Sequence, residues 1–286
     1  MNSPVHKTLL AVVACAAICA GTGSALAQNR YDDHELTDRF LITLGGYSQT
    51  DIRTTIRIDA KTPEGAIGAG TVIALESLFD LDDEVTTARL DGWYRFNKRH
   101  RIGWTFWRTE RTGLSTYNGD ETIEIGDVVI DPGDFVATDD VSHLYAVNWS
   151  YSFVNTSKYE AWVGAGLNFQ KIDKMLDISV GGGGGQFQEE AKATVPIPTL
   201  NFGGRWNFNK RWRLLLMQQV FGIKIGDFSG KLDDTRILVE FNITPNFGIG
   251  GGVERFSLEV EAEGDEFVGQ LDTSYSAFTL YLKGQF

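Results

Sequence analysis

The chain is 286 residues long, with a formal net charge of −12, 42% hydrophobic residues and 12% aromatic residues. That acidic balance argues against a nucleic-acid partner, because a phosphate backbone is held by clustered lysine and arginine. The two cysteines, Cys15 and Cys19, both lie near the N-terminus, which excludes a small disulfide-stapled scaffold for the rest of the chain.

Residues 1–27 read as a secretory signal peptide. His6 and Lys7 open it, Leu9 to Ala20 form an apolar core, and Ala25-Leu26-Ala27 is a small-residue cleavage site before Gln28. The apolar stretch is too short for a membrane anchor. Lipid anchoring would need cleavage before Cys15 and would leave a cramped core, so cleavage after Ala27 is the expectation. Residues 28–38 then form a short leader, and 39–286 a single domain. No later apolar run reaches the length of a spanning helix, so any membrane crossing is made of strands.

From there on period-2 alternation dominates, and it predicts about ten strands, near 39–60, 85–96, 100–112, 139–154, 158–173, 193–208, 211–226, 233–243, 247–261 and 268–286. In the second, Ala88, Leu90, Gly92, Tyr94 and Phe96 oppose Arg89, Asp91, Trp93 and Arg95. In the fourth, Tyr145, Val147, Trp149, Tyr151 and Phe153 oppose Ala146, Asn148, Ser150 and Ser152. The ninth breaks phase: Phe247, Ile249 and Val253 share one parity, Phe256, Leu258 and Val260 the other. Either a bulge near Glu254-Arg255 resets the face, or Gly248, Gly250 and Gly252 point to the apolar side. Tight turns at 97–100, 155–158, 207–210 and 244–246 alternate with longer connections at 61–84, 113–138 and 174–192 and shorter ones at 227–232 and 262–267. Pro196 and Pro198 open the sixth strand, where ladder pairing should be loosening.

Short turns on one rim and long loops on the other predict an all-β fold, a closed antiparallel up-and-down transmembrane β-barrel of about ten strands, with eight or twelve as neighbours. A soluble eight-stranded barrel alternates too, but would put its aromatics inside. Here the rings crowd the strand ends beside the tight turns, as Tyr94, Phe96, Tyr159, Trp206, Phe208, Trp212, Phe241, Phe247 and Phe286 do. That is the place of an interfacial girdle.

The last strand carries the most specific pattern: Phe278, Leu280, Leu282, Gly284 and Phe286 alternate with Thr279, Tyr281, Lys283 and Gln285. With the signal peptide, the alternating strands and the Asn-centred turns, this resembles the small outer-membrane barrels of Gram-negative proteobacteria, of the OmpA and OmpW kind. The run Asp91 to Ile102 looks like a hairpin recurring among them. The resemblance implies an outer-membrane location, periplasmic termini, contact with lipid and lipopolysaccharide, and reading of the last strand by the barrel assembly machinery. It implies no particular activity.

Projecting the polar positions inward gives a set of lumen charges: Arg53, Arg57, Arg89, Asp91, Arg95, Arg111, Glu160, Arg205, Arg236, Glu240 and Lys283. They read either as mutually satisfied packing or as a constriction that selects small solutes by charge. Packing is the reading that suits a narrow barrel better. A catalytic alternative places a protease or lipid hydrolase at the loop rim, with Asp139, Asp140 and His143, or the acids Asp80, Asp82, Asp83 and Glu84. His143 shares parity with Tyr145 and Val147 and so points away from the lumen, while Ser142-His143 alone is a weak sign of acyl hydrolysis. His34 and His100 sit in the leader and a tight turn. Gly181 to Gly185 lacks the Lys-Ser/Thr of a phosphate loop, and no metal-ligand spacing or cofactor motif is present. A barrel without cofactor or metal, structural or porin-like, is the expectation.

Overall fold

The computed structural model describes residues 39–60, 72–118, 122–125, 128–179, 186–225, 228–263 and 267–286; the signal peptide, the leader and the glycine run 181–185 lie outside them. Ten long strands form the wall. They are β1 (Phe40–Ala60), β2 (Val85–Arg95), β3 (His100–Thr116), β4 (Phe135–Asn155) and β5 (Tyr159–Ser179). The second half comprises β6 (Gln186–Asn207), β7 (Trp212–Ile225), β8 (Phe228–Asn242), β9 (Phe247–Glu263) and β10 (Phe267–Gln285). Each pairs antiparallel with its chain neighbours, and β10 closes on β1 from Leu41↔Gln285 to Ala60↔Phe267. Closure removes every free sheet edge from the belt, as a strand-built membrane crossing requires. A short strand, Val72–Ala74, pairs with the upper part of β1 and leads into a one-turn helix α1, Leu75–Phe79.

The tight turns follow from their side chains. Asn97 Oδ1 accepts from the Arg99 and His100 amides, both at 2.9 Å, and Asn209 Oδ1 from Arg211 and Trp212 at 2.8 and 2.9 Å. Thr156 and Thr244 do the same for Tyr159 and Phe247, at 2.9 and 3.0 Å. In each turn a side-chain oxygen takes the backbone donors the ladder leaves over.

The parity of the lower wall is apolar outward and charged inward. On β10, Leu280 and Leu282 are 60% and 69% exposed, while the alternate residues Tyr281 and Lys283 are 8% and 2% exposed. Phe106, Val147, Val163, Phe202, Leu216, Val239 and Val253 continue the exposed belt around the barrel. Near the turns its edge is aromatic, with Trp206–Phe208 rings 4.3 Å apart and Trp212–Phe241 4.8 Å apart. On β10 the belt runs from Phe278 to Phe286, the roughly 9–11 residues a tilted strand needs to cross a bilayer.

β4, β5 and β6 are 21, 21 and 22 residues long, so about half of each stands clear of the belt. Above it the outer face turns polar, with Arg108 and Glu110 paired at 2.8 Å and Arg255 exposed. The inner face there turns apolar: Ile52, Trp107, Leu144, Ile197, Leu232, Phe256 and Leu258 form one buried cluster. This resolves the ninth strand. β9 pairs with β8 and β10 without a register shift, so neither expected reading holds. Gly248 and Gly250 face the lumen low down and Phe256 and Leu258 face it higher up. The residue chemistry changes because the surroundings change from lipid to water at that height.

A bulge sits instead in β1. Between Thr50↔Ser276 and Arg53↔Ser274, β1 uses one residue more than β10, and Asp51 takes φ 52°. Aspartate tolerates that left-handed backbone better than most residues. Tyr47 and Gln49 face inward before the bulge, Ile52 and Thr54 after it. Pro196 and Pro198 are exposed, and the β6–β7 ladder stops just below them at Leu200↔Val220; ladder donors are not needed there.

An arginine at Val253, within the belt, is expected to lower folding stability in bilayers by about 2–4 kcal/mol. Arg255→Val, two residues higher on the same face, should leave the urea midpoint of the folded-band gel shift unchanged.

Candidate functional site

The lumen is the candidate site, and its lowest layer is built around Glu160, whose side chain is fully buried. Arg95 Nη2 lies 2.6 Å from it, Arg205 Nη2 2.9 Å and Arg101 Nη1 3.5 Å, and Ser152 Oγ donates to it at 2.6 Å. The register explains the gathering. Glu160 is directly opposite Arg205 on β6, whereas Arg95 is directly opposite Arg101, a like-charge pair. Like charges facing each other across a ladder repel; the shared carboxylate from β5 reverses the balance.

Across the lumen a second floor cluster centres on Glu240. It bonds Lys283 and accepts from Tyr281 Oη at 3.0 Å, with Arg213 at 3.9 Å. Gly250 lies between Glu240 and Tyr281 in the ladder, and a Cβ there would come 2.4 Å from the Tyr281 ring. The glycines of β9 thus make room for a contact that skips a strand.

The middle layer joins both halves. Glu254 receives Arg89 at 2.7 Å, Arg236 at 2.9 Å and the Tyr47 hydroxyl at 2.7 Å. Arg89 also meets Asp91 at 2.9 Å, Arg236 meets Asp234 at 2.7 Å, and the Tyr47 and Tyr275 hydroxyls lie 3.2 Å apart. Above comes the apolar cluster around Trp107. At the mouth Arg111 holds Asp140 at 2.6 Å and Glu76 of α1 at 2.9 Å, while Glu76 also accepts from the Thr54 amide at 2.7 Å. Leu75 and Phe79 pack α1 onto Leu81, Tyr117 and Val136.

Of the charges projected inward from the sequence, Arg89, Asp91, Arg95, Arg111, Glu160, Arg205, Arg236, Glu240 and Lys283 line the lumen. Arg53 and Arg57 do not. Arg53 is exposed on the outer face, and Arg57 shares its parity, because the extra residue at Asp51 exchanges the two faces of β1. Parity alone would have added Arg101 and Arg213, whereas the broken phase of its strand hid Glu254. Asp140 and His143 are not brought together: Asp140 is buried against Arg111, and His143 lies on the other face beside Tyr145, their rings 6.0 Å apart. Phe278, Leu280 and Leu282 are exposed on the belt, with Gly284 and Phe286 at its turn-side end.

Removing one member of a buried ion cluster leaves the others uncompensated, at about 3–5 kcal/mol. Glu160→Ala should therefore lower unfolding stability in micelles by that amount, read from urea midpoints. Glu110→Ala, which removes an exposed pair on the outer wall, should leave it unchanged.

No family model matches the sequence, and no curated protein matches it. Among solved structures, the outer membrane protease OmpT from Escherichia coli aligns over 86% of this chain and 97% of its own, at 10% identity and a TM-score of 0.50. The outer membrane protein OprG from Pseudomonas aeruginosa aligns over 88% and 97%, at 12% identity and 0.39. The Pseudomonas putida toluene transporter TodX aligns over 91% and 94%, at 10% identity and 0.36. The likeness to OmpT is one of fold: this chain is a closed up-and-down β-barrel built like those of the outer membrane.

Proposed function

We propose that the chain is an integral outer-membrane protein whose barrel is sealed, with a structural role and neither open-pore conduction nor catalysis. The observation that carries this is the filling of the lumen at successive heights: the Glu160 and Glu240 clusters, the Glu254 layer, the Trp107 cluster, and the Arg111–Glu76–Asp140 contact under α1. A barrel of ten strands is narrow enough for side chains to close it, whereas sixteen or more leave a channel.

The two rims support an orientation. The tight turns carry Lys98, Arg99, Lys158, Lys210 and Arg211, and the opposite end carries the polar extension. We assign the turn rim and both termini to the periplasm and the extension to the cell surface. Arg53, Arg108 and Arg255, exposed just above the belt, then meet lipopolysaccharide phosphates, and the Phe278 to Phe286 pattern is what the assembly machinery reads. OmpT shares the fold and is a protease, but a rim hydrolase in this chain would need Asp140 and His143 on one side of β4.

Planar-bilayer recording tests the proposal. The purified barrel should give no discrete conductance steps. Steps whose size changes in Arg95→Gln or Arg205→Gln would overturn it in favour of a charge-selective pore.

A further inference from the structure

Between the floor clusters and the Glu254 layer the lumen holds a chamber of ≈ 150 Å³. We propose that it is a binding site for one small ring-shaped organic anion, an aromatic monocarboxylate being the chemical class that fits. A cavity of about this size accommodates a single benzene-sized ring. Its two walls differ in chemistry. Toward β7 and β8 Leu215, Met217 and Leu238 line it, with Gln219, Arg236 and Glu240 among them; toward β3–β6 it is lined by Arg101, Ser150 and Asn201.

The polar wall has the character of a built site. Gly164 and Gly166 face inward on β5, where the neighbouring Ser150, Asn148 and Asn201 side chains close over them. Asn201 lines the chamber, is 5% exposed, and has neither amide atom hydrogen-bonded within the protein. Burying an amide without partners is costly, so this side chain is set for a ligand that takes its N–H. Arg101 lies in the same cross-strand row, through Ser150 and Gly164, with its guanidinium 4.0 Å over the Trp162 ring and one carboxylate contact, Glu160 at 3.5 Å. Of the charged residues that line the chamber, Arg89 and Arg236 are paired with Asp91, Asp234 and Glu254, and Glu240 with Lys283; Arg101, with its single contact at 3.5 Å, is the most weakly paired cation. The weakly paired Arg101 favours an anion, and Leu215, Met217 and Leu238 opposite give a flat hydrocarbon body its contact. The inference goes beyond the sealed-barrel reading: binding inside the lumen and conduction through it are separate measurements.

Titration calorimetry of the full barrel in detergent, with benzoate as probe and the detergent blank subtracted, tests it. Saturable one-to-one binding is expected. Arg101→Gln should weaken it at least about tenfold, the loss of a charge-assisted bond, and Asn201→Leu about threefold or more. The Asn201 variant leaves every floor ion pair in place, and gel shift reports that each variant is folded. Absence of saturable binding, equal affinity for neutral benzyl alcohol, or unchanged affinity in folded Asn201→Leu would each overturn the proposal.

Discussion

Glu160 has no access to water, and that single constraint organises the lower half of the molecule. A carboxylate moved out of water is tolerated only when cations and donors enclose it. Here the enclosure is drawn from β2, β3, β4 and β6, through Arg95, Arg101, Ser152 and Arg205. The same carboxylate holds together two arginines that the ladder sets face to face. Register, closure and lumen electrostatics are therefore one problem with one solution. Glu240 and Glu254 repeat it on the far wall and one level higher, with tyrosine hydroxyls completing each shell.

The wall inverts its chemistry with height while keeping its geometry. In the belt, leucine and valine face lipid and charges face inward. Beyond the belt, Arg108, Glu110 and Arg255 face out, and Trp107, Phe256 and Leu258 face in. Both halves obey the hydrophobic effect; only the external solvent changes. A barrel that extends well past the bilayer needs this second, conventional core, because its upper strands have water on the outside. The helix α1, pinned by Glu76 to Arg111, sits on a second buried cluster of Leu75, Phe79, Leu81, Tyr117 and Val136 at the mouth.

Ten strands, their order and their closure were legible because period 2 is a strong signal over long strands and the turns carry Asn or Thr at the bonding position. The strand ends were less legible. Phe135 to Thr138, residues 174–179 and residues 186–192 belong to strands, yet they read as loop, since they extend past the lipid belt, where the pattern that marks a membrane strand is no longer required. The bulge at Asp51 had no distinct signature, and it cost the placement of Arg53 and Arg57. The phase change in β9 was visible, but it pointed either to a bulge or to lipid-facing glycines, whereas its two halves reflect a change of solvent. Glu254, at the junction of those halves, was the residue most easily missed and is the hub of the middle layer.

The central claim is the direction of the faces, and tryptophan quenching by brominated phospholipids addresses it most directly. Trp149 is 44% exposed on the belt, and Trp162 is 5% exposed beneath Arg101. In reconstituted vesicles of single-tryptophan variants, strong quenching of Trp149 with little of Trp162 is the predicted result. Equal quenching of the two, or the reverse order, would contradict the account.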